Sequence, residues 1–150
     1  MEDKEKFMKA ALKQAEKAEK NEEIPIGAVI VKDGKIIARA YNKREKSQIA
    51  THHAEILAIE KACKKLKSWR LDDCEMYVTL EPCPMCAGAI CNARLKGIYF
   101  GAYEKKSGSV SSKFNILKDS GLNYNGQAEG GLLEEQCSFV LKDFFKKRRK

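Results

Sequence analysis

Cys74-Glu75-Met76-Tyr77-Val78-Thr79-Leu80-Glu81-Pro82-Cys83-Pro84-Met85-Cys86-Ala87-Gly88-Ala89-Ile90-Cys91 changes character half-way along. Its first seven residues read as a buried strand. Glu81-Pro82 breaks that strand, and Cys83 to Cys91 carries the small and apolar residues of a short helix. Upstream, His53 to Leu66 sets Ile56, Ile59, Cys63 and Leu66 on one helical face, with Lys61, Lys64 and Lys65 outside. Before it, Ile26–Val31 and Ile36–Tyr41 flank Lys32-Asp33-Gly34-Lys35, a hairpin turning at Asp-Gly, and Asn42 closes the second strand. The first residues, from about Glu2 to Lys20, space Phe7, Met8, Ala11, Leu12, Ala15 and Ala18 as a packing helix. Downstream, Gly97–Ala102 is another strand. A loop rich in Gly, Ser and Asn follows, then a last helix marked by Leu132, Leu133, Cys137, Val140, Leu141, Phe144 and Phe145. Helices alternating with strands predict one α/β domain over residues 1–150: a three-layer α/β/α sandwich around a central mixed sheet of about five strands.

At 150 residues such a domain buries a core without disulfide staples. The hydrophobic fraction of 43% and charged fraction of 33% are those of a soluble protein, and no apolar run approaches the ~20 residues of a membrane span. Nothing at the N-terminus resembles a secretory signal, so a cytoplasmic location is expected. In that reducing setting the six cysteines point to metal binding by a subset rather than to a disulfide framework. The net charge of +8 suits an anionic partner such as nucleic acid, because Lys and Arg that neutralise phosphates gain affinity by releasing counterions. A solvated Lys-rich surface accounts for the charge equally well.

The chemistry lies in His53-Ala54-Glu55, followed thirty positions on by Pro82-Cys83-Pro84-Met85-Cys86. His53, Cys83 and Cys86 suit Zn²⁺, and three protein ligands leave the fourth tetrahedral position to water, as hydrolysis requires. Cys83 and Cys86 fall one turn apart at a helix start, where the helix dipole favours thiolate. Glu55 sits close enough to act on that water as a proton shuttle. A Cys-x-x-Cys alone reads equally as a closed zinc knuckle or a redox pair, but a closed site needs a fourth ligand. Cys91 lies about 500° of helical rotation past Cys86, pointing away from the metal side. Cys63, Cys74 and Cys137 suit core positions, and His52 lacks the His-x-Glu spacing.

His-x-Glu with Pro-Cys-x-x-Cys is the signature of zinc nucleobase deaminases. From Ile24 to the C-terminus the sequence resembles, collinearly, the bacterial tRNA-specific adenosine deaminases of the cytidine/deoxycytidylate deaminase superfamily. The likeness runs through Ile24–Val31, Tyr41-Asn42, Tyr77–Ile90, Phe100-Gly101-Ala102 and Asp143-Phe144-Phe145. It implies a cytidine-deaminase-like fold, one Zn²⁺ per subunit of a homodimer, and conversion of adenosine to inosine at the wobble position of a tRNA anticodon. By the same resemblance Asn42 hydrogen-bonds the flipped base, the backbone of Ala54 helps hold the substrate, and Glu104, Lys106 and Ser107 lie in a loop that contacts neighbouring anticodon nucleotides. Glu104 departs from the family's Asp, which keeps the charge and alters the sugar contact. Of Phe144 and Phe145, one packs inside while the other, with Phe145 the candidate, borders unstacked bases; that both are core residues is an equal reading. Arg148 and Arg149 suit phosphates; a frayed, solvated helix end is the plainer reading of that tail.

Two other readings compete. The same zinc chemistry serves a deaminase of guanine, or of cytosine, cytidine or deoxycytidylate, against which Ala87-Gly88-Ala89 and the basic Phe-Phe C-terminus speak. A noncatalytic RNA-binding module with structural zinc has no need of Glu55.

Overall fold

The computed structural model describes residues 2–119, 121 and 124–148. In chain order they form α1 (Glu2–Lys20), β1 (Gly27–Lys32), β2 (Lys35–Tyr41), α2 (Arg44–Ser47), α3 (Ala54–Leu66), β3 (Cys74–Leu80), α4 (Pro84–Ala93), β4 (Gly97–Ala102), α5 (Ile116–Asp119), β5 (Gln127–Glu129) and α6 (Glu134–Arg148). The five strands make one mixed sheet in the order β2-β1-β3-β4-β5. β1 runs antiparallel to both β2 and β3, whereas β3, β4 and β5 are parallel. The expected sandwich with a five-stranded mixed sheet is therefore the fold of the chain.

Successive side chains on a strand point to opposite faces, and here both faces are covered. Ala28, Ile30, Met76, Val78, Ile98 and Phe100 pack on one side with Ala54, Ala58 and Ala62 of α3 and Ala87, Ile90 and Cys91 of α4. The intervening residues Val29, Val31, Tyr77 and Tyr99 pack on the other with Phe7, Met8 and Ala11 of α1 and Cys137 of α6. Small residues let α1 lie close to the sheet. A Cβ at Gly27 would run into the Ala11 carbonyl and the Ala15 amide of that helix. The hairpin turns as expected, with Asp33 and Gly34 both at positive φ, 52° and 75°.

The stretch read as loop between β4 and α6 holds α5 and the fifth strand. β5 escapes a periodicity reading because it is three residues long and all three are exposed. α2, also read as loop, is four residues stabilised from outside. The buried carboxylate of Glu23 accepts the Glu45 and Lys46 amides at 3.1 and 2.7 Å, and Asn42 Oδ1 accepts the Arg44 amide at 3.2 Å. No helix among the described residues is long and apolar enough to cross a membrane.

Candidate active site

Parallel β3 and β4 are joined by α4, so the carboxyl ends of both strands and the start of α4 share one end of the sheet, where open α/β sheets place their ligand crevices. The antiparallel register of β1 brings its first residues, and with them the end of β2, to that same end. α3 begins there too. His53 and Cys83 each occupy the residue just before a helix, with extended backbone, and Pro84 opens α4 where its missing N–H costs no intrahelical bond.

These two helix starts converge. The Nδ1 atom of His53 lies 3.7 Å from Cys83 Sγ and 3.6 Å from Cys86 Sγ, and the three candidate ligand atoms fall within 4.8 Å of one another. A tetrahedral ion with ordinary Zn–S and Zn–N bond lengths sets N···S separations of about 3.6 Å, so the spacing fits a single Zn²⁺. The donor set, one imidazole and two thiols, is also zinc chemistry rather than that of hard cations. Cys86 donates to Cys83, holding the Cys83 thiol down to about 4, and the same contact pushes Cys86 up. The hydrogen bond to Cys83 also raises His53. A divalent ion takes both sulfurs as thiolates and imidazole as the neutral ligand. Cys91 is buried in the core among α4 neighbours, and His52 Nδ1 pairs at 2.8 Å with Ser47 Oγ; neither joins the group.

Glu55 is buried beside this triad, and loss of hydration pushes its carboxyl up to about 7. It lines a cavity of about 310 Å³ together with His53, Ala54, Asn42, Glu104, Ser107 and Phe145. That volume suits a single base. Asn42 is buried in the wall, its Oδ1 taking the Arg44 amide and its Nδ2 reaching the Ile24 carbonyl at 3.5 Å. A primary amide retains one further N–H and one further lone pair for a ligand. Ala54 is the first residue of α3, so its N–H has no intrahelical acceptor. Phe144 is 5% exposed and Phe145 43% exposed, which makes Phe144 the core residue and Phe145 the cavity rim. The structure does not bring Lys106 or Arg148 into the cavity wall. Lys106 is exposed in the 104–107 loop, and the Arg148 guanidinium lies over Phe144 at 4.4 Å. Arg149 lies outside the described residues.

Glu81 carries no motif in the sequence that marks its role. Its buried carboxylate accepts the amides of Glu104 at 3.1 Å, Val110 at 3.1 Å, Ser111 at 2.7 Å and Ser112 at 2.9 Å, and also the Ser112 hydroxyl. Burial opposes its charge, yet the Ser112, Ser111 and Glu104 donors keep its pKa below the ordinary carboxylate value. A Cβ on Gly108 would collide with this carboxylate and with the Glu104 carbonyl, so the loop closes over Glu81 only with glycine there. Glu81 thus holds the segment that presents Glu104 and Ser107 to the cavity.

Over residues 2–149 the chain matches the MafB19-like deaminase family. It is 48% identical to the tRNA-specific adenosine deaminase of Bacillus subtilis, covering 96% of this chain and 89% of that protein. The chain belongs to the tRNA-specific adenosine deaminase family. A solved structure from a study of A-to-I editing by tRNA:A34 deaminases superposes with a TM-score of 0.87 at 41% identity, covering 90% of this chain and 98% of the other. A guanine deaminase from Bacillus subtilis is also similar, at 40% identity and a TM-score of 0.65 over 81% of this chain and 77% of its own. Among tRNA-specific adenosine deaminases, then, the cavity and the His/Cys/Cys group of this chain have a chemical context.

Proposed function

We propose that this chain is a zinc-dependent hydrolase that converts adenosine to inosine at the wobble position of a tRNA anticodon, releasing ammonia. The observation that carries the reading is the meeting of a zinc-spaced His53/Cys83/Cys86 group with the buried carboxyl of Glu55 in one base-sized cavity. Similarity at 48% identity over 96% of the chain to a tRNA-specific adenosine deaminase supports the substrate class.

Asn42 and Ala54 hold the base edge, the amide of Asn42 offering the donor and acceptor that its backbone contacts leave over. His53, Cys83 and Cys86 would hold a zinc ion, which when bound would supply the Lewis acidity that makes a water nucleophilic at neutral pH. Glu55 accepts a proton as water oxygen adds to C6 of adenine, delivers it to the ring nitrogen, and passes the second to the departing amine. The C6–N bond breaks, ammonia leaves and a carbonyl remains. The narrow, largely apolar walls admit one unstacked base, which favours a loop nucleotide over a duplex one. Phe145 at the rim stacks on a neighbouring base, and Glu104 and Ser107 meet the adjoining sugar. Lys106 and Arg148 reach phosphates outside the cavity. The enzyme works in the cytoplasm as a homodimer with one zinc per subunit.

The test offers the zinc-loaded protein an anticodon stem-loop with adenosine at the wobble position, beside free guanine and free cytidine. Inosine in the RNA supports the proposal. Ammonia from guanine alone moves the chain to the chemistry of the similar guanine deaminase. Bound zinc and bound RNA without any product make it a binding module.

A further inference from the structure

Lys6, Lys9, Lys13, Lys17 and Lys20 are all exposed on α1. At 100° per residue they fall within an arc of about 80°, a single stripe about 21 Å long. The stripe forms one wall of an open groove against the edge strand β2, where Arg39 and Ile36 form the other wall and Glu5 is the single carboxylate among the described lining residues. The ion pairs of the described residues leave Lys9, Lys13, Lys17, Arg39, Lys43 and Lys61 without a carboxylate partner.

The charges continue round the sheet edge. Lys61 of α3 donates to the Arg39 carbonyl at 2.7 Å, covering an open acceptor of β2. Burial lowers its pKa, and the neighbouring ammonium groups of Lys43 and Lys17 lower it further. Lys43 leads directly to Arg44, which lines the catalytic cavity, and the C-terminal end of α1 is four residues from Ile24 of the same cavity. A row of unpaired like charges opposes folding by self-repulsion, a cost that a bound polyanion removes. Lys9, Lys13 and Lys17 stand about 6 Å apart along the helix, a spacing of the order of the step between successive phosphates.

We propose that this stripe, from Arg44 and Lys43 through Lys17 and Lys13 to Lys9, is a docking track for the phosphate backbone of the tRNA arm that continues from the anticodon loop. The inference rests on the proposed RNA substrate and extends it from the target base to the body of the molecule. Such contacts carry no sequence information; they set register and affinity.

The experiment compares wild type with the triple variant Lys9→Gln, Lys13→Gln, Lys17→Gln on two RNAs: full-length tRNA, and the same anticodon loop closed by a short stem. Filter binding across a salt series and steady-state kinetics are read together. For full-length tRNA the variant is expected to lower the slope of log affinity against log salt by about 3 and to raise Kd and KM about tenfold or more near physiological salt, with kcat unchanged. On the short RNA both proteins should match. Lys→Arg at the same three positions should restore wild-type behaviour. No change on full-length tRNA, or equal weakening on both RNAs, overturns the track. A wild type that makes no inosine from either RNA refutes the proposed reaction instead, and the binding comparison reads the track separately.

Discussion

Replacing Glu81 with Gln keeps the size of the side chain and removes half of its accepting capacity. The carboxylate receives four backbone amides and one hydroxyl, and three of those amides converge on a single oxygen, Oε2. With glutamine, one terminal atom becomes an NH₂ that faces donors: at the Oε1 position it deprives the Glu104 amide of its acceptor, at the Oε2 position the three amides of Val110, Ser111 and Ser112. Each hydrogen bond to a charged group is worth about 1.5–3 kcal/mol, but Ser111 and Ser112 are exposed enough for water to take over part of the loss. A net cost of about 2 kcal/mol follows. If it falls on the closed loop, the ratio of closed to open loop drops about thirtyfold, seen mainly as a rise in KM of up to that factor. The assay is kcat/KM on an anticodon stem-loop alongside zinc content. Unchanged kinetics would refute the reasoning. So would a loss that tracks loss of zinc, because the damage would then lie at Cys83, two residues away, and not in the loop.

Cys91→Ala should keep one zinc per chain by atomic absorption, whereas Cys86→Ala should lose most of it; equal loss in both would put Cys91 in the ligand set. Gly27→Ala forces a methyl group into the backbone of α1, an overpacking cost of about 1–3 kcal/mol that should appear as a lowered urea midpoint with an unchanged slope. Phe144→Ala should cost about 3–5 kcal/mol of stability with little effect on substrate affinity. Phe145→Ala should reverse that pattern, raising KM about tenfold with a near wild-type melting temperature, in keeping with a base–aromatic stack of about 1–3 kcal/mol.

The strands and long helices were legible because buried faces impose periodicity: β3 and β4 run as Cys74–Leu80 and Gly97–Ala102, the bounds their apolar runs suggest. The zinc-spaced triad was legible because metal ligands are few in type and fixed in spacing. Glu81 was not, since a Glu before Pro reads as a strand breaker and its partners lie 23 to 31 residues further on. Glu23 was hidden in the same way, buried by amides 22 and 23 residues away. β5 buries no side chain and leaves no hydrophobic trace. Phe144 and Phe145 are adjacent in a helix, and it is their burial in the fold, 5% against 43% exposed, that makes Phe144 the core residue and Phe145 the rim. The α1 lysines show in the sequence as a solvated helix face. Their continuity with Lys61, Lys43 and Arg44 depends on the fold.

The most direct test of the central claim is nuclease digestion and mass spectrometry of an anticodon stem-loop after incubation with zinc-loaded wild type and with Glu55→Gln. Wild type should place inosine at the wobble position, and Glu55→Gln at the same zinc content should be slower by about 10²–10⁴. Inosine formed equally by both proteins, or adenosine left intact by a wild type that binds both zinc and RNA, would contradict the claim.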